Sequence, residues 1–168
     1  MAAMKSFILS FAAVLIAFTV ALAGQKYGVK VETEKNVDYA KFKTYTWTEG
    51  QPSADKTIES QIMAAVDREL GALGMTKASS GAGDVLVATY SVTRTDVNLK
   101  AKPDAKGLQP EISVGTLMVA LLEPGSRKRL LRLRIDKSID GVERSQSEGV
   151  INAAVTELFQ QYPTRAKK

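Results

Sequence analysis

The chain has no histidine and no cysteine, and that bounds its chemistry before any motif is sought. Ser-His-Asp and Cys-His nucleophile systems, the side chain that ordinarily titrates near neutral pH, and zinc or copper sites built on imidazole or thiolate are closed to it. What remains is carboxylate chemistry, which requires two acids close enough for their pKa values to diverge. Asp84, Asp96, Asp136 and Asp140 are the candidates, yet they are scattered at strand ends, where an acid commonly just forms a turn. A calcium loop needs regularly spaced acids around a glycine, and no such run occurs. The residue types therefore predict no catalytic residue, no metal site and no cofactor. The competing enzymatic reading is a hydrolase that uses carboxylates alone.

Binding chemistry is better represented. Arg127, Lys128, Arg129, Arg132 and Arg134 cluster in one segment. On a strand, Arg132 and Arg134 project from one face about 7 Å apart, a spacing that suits phosphates or acidic sugars. Lys128, Arg132 and Arg134 are thus the predicted contact residues for an anionic partner, against the plainer reading of a solvated sheet face. Asp136 on that face weakens the positive field.

Two other stretches look like sites and are read as structure. "SSGAGD", Ser79 to Asp84, resembles a phosphate loop in composition. Such a loop leads from a strand into a helix whose N-terminus holds the anion, whereas this one leads from a helix into a strand. "YAKFKTYTW" interleaves Tyr39, Phe42, Tyr45 and Trp47 with Lys41 and Lys43, like a platform for single-stranded nucleic acid. The alternation puts Tyr45 and Trp47 on one face, so they are expected in the core against the helices, with no nucleic-acid partner.

The elements that must position these residues follow from hydrophobic period. "YGVKVETE" and "FKTYTWT" alternate as strands and are expected to form an antiparallel pair. From Ile58 to Leu73, Ile58, Ile62, Ala65, Val66, Leu70 and Leu73 form a helical stripe, with Glu59, Asp67, Arg68 and Glu69 off it. Its cap is expected near Asp55 or Thr57 and its end at Gly74. "DVLVATYSVTRTD" reads as a central strand that ends with Tyr90 and Val92 on its buried face. Asn98 to Pro110 reads as a mobile loop. "EISVGTLMVALLE" and "RLLRLRIDKSI" form a hairpin around Pro124 to Ser126, and a second amphipathic helix ends before Pro163. The fold class is α+β in the order ββαβββα, a mostly antiparallel sheet with both helices on one face.

The first residues set the compartment. Lys5 precedes an uncharged apolar run from Ser6 to Gln25, and Ala21 and Ala23 frame Leu22, the order of a secretory signal peptide. Residues 1–23 are expected to be removed after Ala23, leaving one domain over 24–163 and a disordered basic tail over 164–168. The protein is then periplasmic and meets the membrane only through the leader before cleavage. The alternative retains the run as an anchor, since about 20 apolar residues span a bilayer. Gln25 stands where a lipoprotein leader has its lipidated cysteine, so that route of anchoring is excluded.

"VDYAKFKTYTW", "GDVLVATY", "VGTLMVALLE" and "AAVTELFQQYP" resemble, in order and spacing, the bacterial envelope family called domain of unknown function 4136, over nearly all of the chain after the leader. The resemblance implies an exported, often lipoprotein-like domain of α+β fold and carries no assigned activity or active site. The chain departs from the pattern in lacking the lipidated cysteine and in having "LRLR" at Leu131 to Arg134 where the family often has a Trp-Arg pair. Together these readings predict a non-enzymatic domain that binds an envelope component or a partner protein.

Overall fold

A computed structural model describes residues 28–165; the leader reading and its cleavage point lie outside the described residues. Strands β1 (Val29–Thr33) and β2 (Thr44–Trp47) flank a 3-10 turn at Tyr39–Lys41, and helix α1 (Lys56–Ala72) follows. Strands β3 (Thr76–Lys77), β4 (Val85–Val97), β5 (Glu111–Leu122) and β6 (Arg129–Ser138) lead to a second 3-10 turn and helix α2 (Ser147–Phe159). The sheet order is β1-β6-β5-β4-β2-β3. Pairing is antiparallel from β1 through β6 and β5 to β4, and parallel where β2 meets β3 and β4.

The expected pairing of the first two strands is therefore corrected: β1 pairs with β6 and β2 with β4, in opposite halves of the sheet. Alternation specifies a buried face but not a partner. The connection is fixed instead by Tyr39, whose buried hydroxyl donates to the Leu130 carbonyl at 2.6 Å, and by Asp38, whose side chain accepts from the Ala40 amide. β3 has two residues, too few to show a period.

Both helices cover one face of the sheet. Ile62, Ala65, Val66 and Leu70 of α1 and Val155, Leu158 and Phe159 of α2 share one core with Val85, Val87, Leu117, Val119, Leu121, Leu131, Leu133 and Ile135. Asp55 caps α1 by accepting from the Thr57 and Ile58 amides, and Gly74 follows the helix at φ 80°, a conformation that favours glycine. Glu69 lies off the apolar stripe yet is not solvated. It is buried between the helices, accepting from Thr156 Oγ1 at 2.6 Å and Arg165 Nη2 at 2.8 Å. The same contact ties Arg165, within the expected basic tail, back to α1.

The aromatic stretch lies against the helices. Tyr39 and Tyr45 are buried and Phe42 and Trp47 pack on the core. Tyr45 Oη and Trp47 Nε1 both donate to Asp67 Oδ1, at 2.7 and 2.9 Å. Burial, then the bond to Asp67, pushes the Tyr45 hydroxyl pKa upward, so it stays a donor. An unsatisfied buried donor costs about 1–3 kcal/mol. Asp67→Ala should therefore lower stability by about 3 kcal/mol, measured by denaturant unfolding followed through Trp47, the single tryptophan; a loss below about 1 kcal/mol would show that the two bonds do not hold β2 to α1.

Candidate functional site

The predicted basic residues lie on the sheet face away from the helices, and each has an acid. Lys128 Nζ is 3.1 Å from Glu34 Oε1, and Arg132 Nη1 is 3.2 Å from Glu32 Oε1. Glu32 also takes Arg129 at 3.0 Å. Arg134 grips Asp136 with two bonds of 3.0 Å. The register explains this, since Glu32 of β1 stands opposite Arg132 of β6. Lys128, Arg132 and Arg134 therefore do not converge on a common point, and an anion there would have to displace ion pairs already made.

Asp136 is the hub of that face. Its buried carboxylate accepts from Thr116 Oγ1 at 2.6 Å, Arg94 Nη1 at 3.1 Å and Arg134. Burial by itself raises the carboxyl pKa, but the bonds from Arg134, Thr116 and Arg94 outweigh it and hold the pKa at about 2. Arg94 also reaches Asp96 at 3.8 Å, so Asp96 and Asp136 are the two candidate acids that the fold brings together. An acid kept ionised in this way is a poor proton donor at neutral pH. Asp84 instead accepts from the Lys43 and Thr44 amides at 2.8 and 2.9 Å, which lowers its pKa and fastens β2 to the start of β4. Asp140 accepts from the Ser113 amide. Among the described residues no group of three acids is placed to hold a metal ion.

The glycine-rich turn is explained by a close approach: a Cβ on Gly83 would lie 2.7 Å from the Tyr45 backbone. Only glycine lets β4 come this near β2 at that point.

A groove of about 770 Å³ opens between the sheet and the N-terminal ends of α1 and α2. Ile58 and Ile62 of α1, Ile151 and Ala154 of α2, and Leu117 and Ile135 of the sheet make an apolar floor. Lys137, Arg144, Asp55 and Glu143 stand among the residues around it. Arg144 Nη2 meets Asp55 Oδ2 at 2.9 Å, and Lys137 Nζ meets Glu157 Oε2 at 2.6 Å. The space exists because the strand positions facing the helices become small here, with Ser91 opposite Leu117 and Thr93 opposite Gly115.

This reverses one expectation. Ser91 and Thr93, not Tyr90 and Val92, continue the inward set begun by Val85, Val87 and Thr89; Thr89 Oγ1 reaches Glu59 of α1, while Arg94 bonds on the opposite face. The apolar character of Tyr90 and Val92 hides the parity. Reading on from Val85 at period two recovers it, and the polar inward residues then mark the groove.

The family model described as "Domain of unknown function (DUF4136)" matches residues 29–164. No curated protein matches the chain. Among solved structures, a PDZ domain protein from Parabacteroides distasonis superposes with a TM-score of 0.60 at 15% identity. The match covers 84% of this chain and 36% of that one, so this chain spans about a third of its length. The PelC dodecamer from Paraburkholderia phytofirmans gives a TM-score of 0.53 at 9% identity, covering 85% of this chain and 100% of that one. A PelC variant in another crystal form gives 0.54 at 10%, with the same coverage. These likenesses are of fold.

The Asp136 cluster sets an acid limit on stability. Its pKa is depressed in the folded state, so its contribution is present above the unfolded value of about 3.9 and is lost as pH falls toward about 2. Asp136→Asn should flatten the stability profile between about pH 4 and pH 2. It should also cost about 3 kcal/mol at pH 7, because two arginines lose their carboxylate. Denaturant midpoints across that range check both; an unchanged slope would remove the cluster from the pH response.

Proposed function

The chain belongs to the DUF4136 family, and on that premise we propose that it is a non-enzymatic binding domain of the bacterial cell envelope, periplasmic once its leader is removed. Its groove takes the apolar body of an amphipathic envelope ligand. The observation that carries this reading is the groove: about 770 Å³ falls within the range of small-molecule sites, and an apolar floor with a few polar groups at the edge is their usual composition. Arg144 is balanced by Asp55 and Lys137 by Glu157, so recognition rests on the hydrocarbon rather than on net charge. The lack of histidine and cysteine, and the engagement of Asp84, Asp136 and Asp140 in structural bonds, favour binding over turnover. The basic start, apolar run and Ala21-Leu22-Ala23 sequence support export.

Ser91→Phe places a ring in the groove. It should weaken binding of an apolar fluorescent probe, and of the lysophospholipid that displaces it, about tenfold or more, with the thermal midpoint within a few degrees of the parent. Equal binding by both proteins would reject the groove, and lipid hydrolysis abolished by Asp96→Asn would replace binding by the carboxylate enzyme. Intact mass from the native host should begin at Gly24; a species beginning at Met1 would mean that the domain is held at the membrane by its own leader.

A further inference from the structure

The β4–β5 hairpin carries exposed apolar side chains at its tip. Leu99 and Leu108 are 59% and 63% exposed, and Val97 at the end of β4 is 42% exposed. The tip, expected from sequence as a mobile loop, holds its own hydrogen bonds. Asn98 N donates to the Pro110 carbonyl and Asp104 N to the Leu108 carbonyl, both at 2.8 Å. Asp104 Oδ1 accepts from the Lys106 and Leu108 amides, and Gly107 turns the chain at φ 81°. The exposure is therefore built into a bonded turn.

The charges of the tip differ in kind from those of β6. Lys128, Arg132 and Arg134 are each paired with an acid. Lys100, Lys102 and Lys106 are exposed, and among the described residues none of them forms an ion pair. Asp104, the one acid between Asn98 and Pro110, is engaged with the backbone of the turn.

The direction of the tip matters as much as its composition. Leu117 stands opposite Ser91 on one side and Ile135 on the other, and Ile135 stands opposite Val29, where the chain enters the sheet. From Ser91, β4 runs six residues further to Val97, so the hairpin projects about 20 Å past the level of entry. Val29, the first strand residue, thus stands at the end of the sheet from which the hairpin projects.

We propose that the β4–β5 tip docks on an anionic lipid bilayer, with Leu99 and Leu108 entering the boundary between headgroups and acyl chains and Lys100, Lys102 and Lys106 among the phosphates. Two leucines and a valine are far too small a patch for a stable protein interface, which needs about 800 Å² per partner. Apolar side chains flanked by lysines suit shallow insertion at an anionic surface. The inference is separate from the groove and stands whether or not the leader is retained.

The absence of native cysteine allows a direct test on the full chain. Leu99→Cys, Leu108→Cys and, at the opposite end of the sheet, Ser126→Cys are each labelled with an environment-sensitive fluorophore. They are then mixed with vesicles of phosphatidylcholine alone or with about a third phosphatidylglycerol. The labels at 99 and 108 should shift to the blue and brighten several-fold with the anionic vesicles, less with the neutral ones, while the label at 126 stays aqueous. Lys100→Gln, Lys102→Gln and Lys106→Gln together should weaken the response at 99 about tenfold or more. Leu108→Asp should do the same, with the thermal midpoint of each variant confirming the fold. Labels at 99 and 108 that stay aqueous on vesicle-bound protein, or a label at 126 that responds equally, would overturn the proposal. So would a shift that needs only unlabelled protein and no lipid.

Discussion

One carboxylate oxygen, Asp67 Oδ1, receives the hydroxyl of Tyr45 and the indole of Trp47, and the position of the helix layer depends on it. β2 is a four-residue strand that reaches β4 in parallel, without a hairpin to hold it. With both polar tips bonded to α1, the two aromatic bodies can be buried without leaving donors unsatisfied. α1 in turn locates α2 through Glu69, Thr156 and Arg165. The two helix starts, at Asp55 and Ser147, then stand together over the groove.

Charge is arranged differently on each surface. On the outer face of β6 the arginines neutralise acids of β1 and of their own strand, and Asp136 lies beneath two guanidinium groups. Such a face stabilises the sheet while attracting little from outside. At the hairpin tip Lys100, Lys102 and Lys106 outnumber the one acid, Asp104, and form no ion pair with it, so their field is available to a partner. Sequence composition does not distinguish the paired cluster from the unpaired one, because β6 holds more basic residues but its acids arrive from β1, about a hundred residues earlier in the chain.

Local period made most of the fold legible. The stripes of α1 and α2, the cap at Asp55, the end at Gly74 and the β5–β6 hairpin each follow from residues within a few positions of one another. The partner of β1, the parallel entry of β2 and the buried role of Glu69 depend on contacts between distant segments, and no periodicity reports those. Residues of the candidate groove were visible individually but not as a site: Ser91, Thr93 and Gly115 are small polar or glycine residues that read as unremarkable strand positions. Their meaning comes only from facing Ile62 and Ile151 across a gap. The anchoring role of Asp67 is illegible for a related reason, since an acid off the apolar stripe looks solvated until the two donors opposite it are known.

The groove and the projecting hairpin have a common origin in a mismatch of lengths. The 17 residues of α1 and 13 of α2 make helices about 26 and 20 Å long, whereas the 13 residues of β4 extend about 43 Å. Two helices laid along such strands cover little more than half of them. Where the helices begin, the inward strand positions lose their partners, and there the chain changes from Val85 and Val87 to Ser91, Thr93 and Thr95. Polar inward residues are what a strand needs once nothing apolar faces it. The boundary leaves an open apolar pocket, and beyond it the paired strands continue as a two-stranded arm that can carry a tip well away from the core. A chain with helices one turn longer would close the groove, and one with strands six residues shorter would have no arm. Both features thus follow from a single property of the sequence, the point at which helical coverage stops and strand pairing does not.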